Sequence, residues 1–234
     1  MTIMKTLRRI LLAAAVALTG TMAASAQYYQ LANQVGQLIR PALTGGFNYK
    51  GYVDASYLKG IGSKNADFLE ITTTQGFRYS NWFFMGVGAG VEAVFTNPNS
   101  EFNDWEGTAV PRHGWSDIDP SKSRSKTGWV IPLFTDFRFN IGNEQSVSFF
   151  IDLRVGASFL VSNNYLAIGD GYMTSSESFY LRPTLGMRIP LSVNNPKQAL
   201  NIGATYQLIT SNYWHYNSSS TTLSALGVTI GFEW

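Results

Sequence analysis

From Ser224 to the end the chain alternates without a fault. Leu226, Val228, Ile230, Phe232 and Trp234 occupy one parity, and Ala225, Gly227, Thr229, Gly231 and Glu233 the other. A period of two is that of a β-strand with two faces of different character. A bulky apolar face backed by Gly, Thr and a carboxylate suits a strand standing between lipid and a narrow polar lumen.

The same alternation recurs upstream and predicts seven more strands, at about 49–59, 67–78, 83–95, 127–140, 146–160, 177–189 and 199–211. In the third, Phe83, Met85, Val87, Ala89, Val91, Ala93 and Phe95 oppose Gly86, Gly88, Gly90 and Glu92; in the fifth, Val147 to Phe159 oppose Asp152, Arg154, Gly156 and Ser158. Eight strands of roughly 9–11 residues or slightly more are the number and length of a small closed membrane barrel. The connections alternate between short turns and longer loops, the long ones at 96–126 and 161–176. Short inner turns and longer outer loops are the rule for such barrels when the N-terminus is periplasmic. Pro132 and Pro183 conflict locally with this pattern, because a closed barrel has no free edge for a residue without N–H; bulges or shifted boundaries are expected there. Thr73, Gln75 and Thr135 fall on the apolar parity and dilute it.

Residues 1–26 break the pattern in another way. Lys5, Arg8 and Arg9 precede the apolar run Ile10 to Leu18 and the A-x-A site Ala24-Ser25-Ala26, the layout of a cleaved signal peptide. Removing those three positive residues takes the net charge from +2 to −1, fourteen basic against fifteen acidic residues, so the basic balance gives no argument for nucleic acid. Residues 27–47 carry Leu31, Val35, Leu38 and Ile39 at helical spacing before Pro41 and Gly45-Gly46, which predicts a short helix, on the periplasmic side or tucked against the lumen mouth, ahead of a barrel at 48–234. The absence of Cys is compatible with an oxidising compartment.

Alternation alone does not say which parity faces inward, since a secreted eight-stranded lipocalin has its apolar face inside. Three features favour the membrane arrangement. The large side chains lie on one parity opposite many glycines. The polar parity is rich in Gly, Ser and Thr rather than Lys and Glu. Aromatics gather at strand ends: Phe77, Tyr79, Trp82, Phe139 and Trp234 at one level, Tyr57, Phe95, Trp129, Phe159, Phe179 and Trp214 at the other. The polar parity also pairs acids (Asp54, Glu70, Glu92, Asp136, Asp152, Glu233) with bases (Arg78, Arg138, Arg154, Arg182, Arg188), every base being Arg, whose fork can bridge carboxylates. An eight-stranded interior is only just wide enough for side chains, which favours a salt-bridged plug over a conduit.

A signal peptide, eight alternating strands, an Arg/acid lumen and a last strand ending in Phe232 and Trp234 resemble the small outer-membrane β-barrels of the OmpA/OmpX type, and the stretch from Gly51 to Phe95 resembles the first hairpins of such barrels in Bacteroides-like bacteria. The resemblance covers residues 48–234. It implies an all-β, eight-stranded, antiparallel up-and-down transmembrane barrel in the outer membrane of a Gram-negative bacterium. It further implies a monomer contacting lipid and lipopolysaccharide and delivered by periplasmic chaperones, with Phe232 and Trp234 as the signal read by the barrel assembly machinery. Trp in place of the commoner final Phe is a mild departure. No further peptidoglycan-binding domain is expected.

Some barrels of this size modify lipid A, so imidazole bases matter. His113 lies in Arg112-His113-Gly114-Trp115-Ser116, and His215 in Tyr213-Trp214-His215-Tyr216-Asn217-Ser218. Both have two residues between His and Ser and fall in loops, unlike the H-x-S strand pattern of lipid A deacylases, so no enzyme is expected. The acids of the 96–126 loop lack the D-x-D-x-D-G spacing of a calcium loop, and no metal or other cofactor is expected. Trp105, His113, Trp115, Trp214 and His215 remain as candidate binding groups in outer loops. The reading is therefore a structural or surface-binding barrel with a filled lumen. A narrow porin-like channel and a lipid A-modifying enzyme are the alternatives.

Overall fold

The computed structural model describes residues 48–62, 64, 66–79, 82–97, 123–162, 164–169, 171–173, 177–192, 197–211, 213–214 and 221–234. The signal peptide, the 27–47 segment, Trp105, His113, Trp115 and His215 lie outside them.

Twelve strands form among the described residues. They are β1 (Asn48–Ile61), β2 (Ala66–Arg78), β3 (Phe83–Thr96), β4 (Arg124–Ser125), β5 (Thr127–Ile141), β6 (Ser148–Leu160), β7 (Tyr165–Ile168), β8 (Gly171–Met173), β9 (Glu177–Pro190), β10 (Ala199–Ser211), β11 (Tyr213–Trp214) and β12 (Thr221–Glu233). Eight of them close into an antiparallel barrel in the order β1-β12-β10-β9-β6-β5-β3-β2. The predicted strands are these eight, with ends shifted by up to two residues. Shifts of two residues occur at the end of β1, which runs on to Ile61, and at the start of β6, where Ser146 and Val147 belong to the turn rather than to the strand.

Closure is made by β1 and β12, paired from Tyr52↔Glu233 to Ile61↔Ser224. The final residue extends the seam, its N–H and C=O each bonded to Gly51 at 3.1 Å. A Cβ on Gly51 would run into the indole of Trp234, so Gly is required for that approach. Gln75 and Thr73, polar on the outer face, satisfy one another: Gln75 Nε2 donates to Thr73 Oγ1 at 2.9 Å, and the Tyr49 hydroxyl donates to Gln75 Oε1.

The prolines make no bulge. The β3–β5 register is the same on both sides of Pro132, Ala89↔Leu133 and Glu92↔Val130, with only the rungs between them missing. At Pro183 the β9–β10 register likewise runs from Thr205↔Thr184 to Leu208↔Leu181 across missing rungs. Both prolines stay in register with β6 on the other side. The missing N–H therefore costs a local gap in one ladder and inserts no residue, contrary to the expectation of bulges.

The two faces separate cleanly. Ile71 (62% exposed), Trp129 (58%), Leu185 and Val228 point outward, whereas Asp54, Glu92, Asp136 and Arg182 are fully buried, so the polar parity is the interior. At one end Trp82 stacks on Phe139 at 6.0 Å and Phe232 on Trp234 at 6.0 Å. At the other, Tyr57, Phe95, Trp129, Phe159 and Phe179 are exposed. The backbone of Trp214 pairs with Tyr172 in a separate small sheet.

Candidate functional site

Side chains fill the lumen level by level. At the end holding both barrel termini, Arg188 grips Glu233 with two bonds, Nε to Oε2 at 2.8 Å and NH2 to Oε1 at 3.2 Å. Lys50 also pairs with Glu233 and donates to the Lys197 carbonyl at 3.0 Å. The β5–β6 turn, shaped by Gly142 at φ 121°, brings Glu144 inward to Arg78, and its carbonyl accepts from Arg188 NH1 at 3.0 Å. That turn closes the end of the barrel.

Above this level, Arg138 donates to Asp152 at 2.8 Å, its guanidinium lying 4.0 Å from the Tyr52 ring and 4.5 Å from Phe150. Planar guanidinium stacks well between rings, and a buried Lys would not. Next, Arg154 binds Asp54 and Thr72 Oγ1 (2.9 Å) and lies 3.4 Å from Asp152 and 3.6 Å from Asp136. Arg182 then meets Glu70 and Ser56 and donates to Thr229 at 3.0 Å. Highest of the polar levels, Gln207 donates to Glu92.

The strands that carry these partners stand opposite each other. In the barrel order, β6 is four strands from β1, β9 four from β2, and β10 four from β3. Arg154–Asp54, Arg182–Glu70 and Gln207–Glu92 therefore span the full width of the lumen at three heights. Replacing such buried pairs by well-packed apolar groups is often neutral, but removing one partner leaves an uncompensated charge in a dry interior.

All eleven residues assigned to the lumen network face the interior and are buried. Sequence reading missed Lys50, which shares the parity of Asp54. Not every inward base is Arg, and with Lys50 counted the six acids meet six bases. It also missed large inward aromatics: Tyr52, Phe84, Phe134 and Phe150 are buried. Glycines seat them. A Cβ on Gly86 would stand 2.7 Å from the Phe84 ring, and Cβ atoms on Gly88 and Gly186 would meet Phe134 and Phe150. The signal was present in parity, but doublets such as Phe83-Phe84 and Phe149-Phe150 hide which ring turns in.

The far end of the lumen is apolar. Leu58, Phe68, Val94, Val130, Ile209 and Leu223 form one cluster with Leu166, Ile168 and Met173 of the 161–176 loop. These three side chains make the described part of that loop a cap on the mouth of the lumen. β7 and β8 join β4 and β11 in a small sheet of order β11-β8-β7-β4, and all of Tyr165–Ile168 is buried. Arg124 stands over the Tyr172 ring at 5.9 Å; burial pushes the Tyr172 phenol up to about 12, against the opposing pull of Arg124. Among the described residues no three metal-ligating side chains come together.

No protein-family profile matches this chain, and no curated protein matches it. Among solved structures it is similar to Neisserial surface protein A (TM-score 0.48, 12% identity, covering 81% of this chain and 98% of that one). It is also similar to the outer membrane enzyme PagL (TM-score 0.46, 9% identity, 77% and 97%). A third is Ail, the attachment invasion locus protein of Yersinia pestis, in complex with a heparin analogue (TM-score 0.37, 8% identity, 80% and 99%). Likenesses of this size say nothing of what the chain binds.

Proposed function

We propose that this chain is a monomeric, non-conducting outer-membrane β-barrel, exported by a cleaved signal peptide, whose role is structural or is carried by binding at its loop end. The apolar belt of exposed Ile, Leu, Val and aromatic side chains supports a lipid-facing exterior, since a water-facing surface of that size would aggregate. Its partners in this reading are lipid and lipopolysaccharide around the belt, with periplasmic chaperones and the assembly machinery acting before insertion. The observation that carries the closed lumen is the triple bridge Arg154–Asp54, Arg182–Glu70 and Gln207–Glu92 across opposite strands. No catalytic role is assigned.

The test is single-channel conductance of the refolded chain in a planar bilayer, with heat-modified gel mobility as the folding control. A heat-sensitive band shift with no conductance is expected. A folded chain that stays in water sinks the membrane reading, and steady conductance turns the lumen into a pore. The enzyme alternative needs His215 and Ser218; lipid A unchanged in a His215→Ala strain removes it.

A further inference from the structure

We infer that the apolar outer chamber of the lumen is a binding site for a single-chain amphiphile with a hydrogen-bond-donating head, an alkylamine, and that Leu166 and Met173 of the cap occupy it when no ligand is bound. The inference stands on lumen geometry and holds whether or not the barrel's role is carried by its outer loops.

The walls are mostly apolar where the rest of the lumen is charged: Phe68, Val94, Val130, Ile209 and Leu223 face inward together, with the hydroxyls of Ser158 and Ser178 on one side. Leu166 and Met173 fill the space between them and leave a gap of about one water molecule. The floor is polar. Glu92 lies one inward position below Val94 and directly opposite Val130 on β5, and Gln207 one inward position below Ile209. Their side chains meet across the lumen through a single bond from Gln207 Nε2 to Glu92 Oε1. Both residues are buried, at 0% and 1% exposure. Among the described residues, neither Glu92 Oε2 nor Gln207 Oε1 has a hydrogen-bond partner. Two unused acceptors, a carboxylate oxygen of Glu92 and the amide oxygen of Gln207, one level below a mostly apolar chamber match a primary amine carrying an alkyl chain. An alcohol has one donor for two acceptors, and a carboxylate head brings only acceptors and a like charge.

The occupant can leave because the cap forms a sheet of its own. β7 pairs with β4 over two residues and with β8 over two, and none of these strands joins the barrel ladder. What docks it is side-chain packing, including Leu166 over Gly128. A Cβ on Gly128 would stand 2.8 Å from Leu166 Cδ2 and 3.3 Å from its Cγ, so cysteines at these positions are within bonding reach. The chain has no Cys of its own to interfere.

The full chain, refolded in phosphatidylcholine nanodiscs, is titrated with octylamine and followed by methyl NMR of Ile209, Leu223 and Met173. Saturable shifts are expected with octylamine, and at least about tenfold weaker binding with octanoate or in Glu92→Gln, the loss of one charge-assisted contact. In the Gly128→Cys/Leu166→Cys variant, oxidation locks the cap and abolishes the shifts, and reduction restores them. Leu166→Ala, which empties part of the chamber, binds more tightly. Shifts indifferent to the latch overturn the inference, as does the absence of saturable shifts in both the natural chain and Leu166→Ala.

Discussion

Arg154 shows what a single side chain does in this interior. Its guanidinium touches acids from three strands, Asp54 on β1, Asp136 on β5 and Asp152 on its own strand, and leans on the Phe134 ring at 5.1 Å. Removing it strands Asp54 and Asp136 in a buried lumen, while Asp152 keeps its bond from Arg138. Arg154→Ala is therefore expected to destabilise the folded barrel by about 3–5 kcal/mol, read as a shift of the unfolding midpoint in denaturant at constant slope. The Arg154→Ala/Asp54→Ala double variant loses clearly less than the sum of the singles, because the second truncation removes a charge the first had orphaned. Additive losses would show that the pair contributes nothing. Gly88 makes the complementary case. A Cβ there meets the Phe134 ring and comes within 2.8 Å of the Thr73 carbonyl, which is backbone and cannot swing away. Gly88→Ala is expected to cost about 1–3 kcal/mol by overpacking, with partial rescue by Phe134→Leu.

Among the elements, the cap differs most from its neighbours. The barrel strands are tied by long ladders, whereas β7 and β8 are docked by apolar packing and by the buried Tyr172 ring. Its raised pKa sets a direction. Below about 10 the phenol is neutral whether the cap is docked or free. As pH rises from there toward about 12 the free cap gains a charge that the docked cap refuses, so docking weakens. Phenolate absorbance of the folded chain should show one tyrosine titrating near 12, absent in Tyr172→Phe; identical titrations in the two proteins would remove this account. The seam is the second special element. Trp234 lies over Gly51 and stacks on Phe232, so the residue expected as an assembly signal also clamps the first strand to the last. Trp234→Ala is expected to lower barrel stability by about 1 kcal/mol or more, measured on protein refolded without the assembly machinery so that recognition plays no part.

For the whole molecule, the lumen is shut three times over: by the Glu144 turn at one end, by cross-lumen bridges in the middle and by the apolar cap at the other. These closures act in series. Conductance is therefore expected to stay silent in Arg154→Ser/Arg182→Ser, and to appear only when residues 164–173 are also replaced by a short linker and Glu144→Gly opens the turn at the other end. Steady current from the double lumen variant alone would show that neither the cap nor the Glu144 turn seals its end. Among the network residues of the eight barrel strands, six acids meet six bases with Lys50 included, so that network carries no net formal charge.

Strand number, strand ends to within a couple of residues and the sorting of faces were all legible in the chain. A period of two is a local property, set by the pleat and readable wherever one face meets lipid and the other a core. Parity alone also named every acid and arginine of the lumen network, and would have named Lys50 had its position beside Asp54 been weighed. Which acid meets which base was not legible. Arg154 finds Asp54 a hundred residues away because closure places β1 and β6 face to face, and nothing in either strand encodes that distance. The seating of Phe84, Phe134 and Phe150 on glycines of neighbouring strands, and the ladder gaps at Pro132 and Pro183, likewise depend on register between strands. The cap was least visible of all: β7 and β8 are too short for a period to declare itself, and their burial exists only because the barrel supplies an apolar mouth to fill.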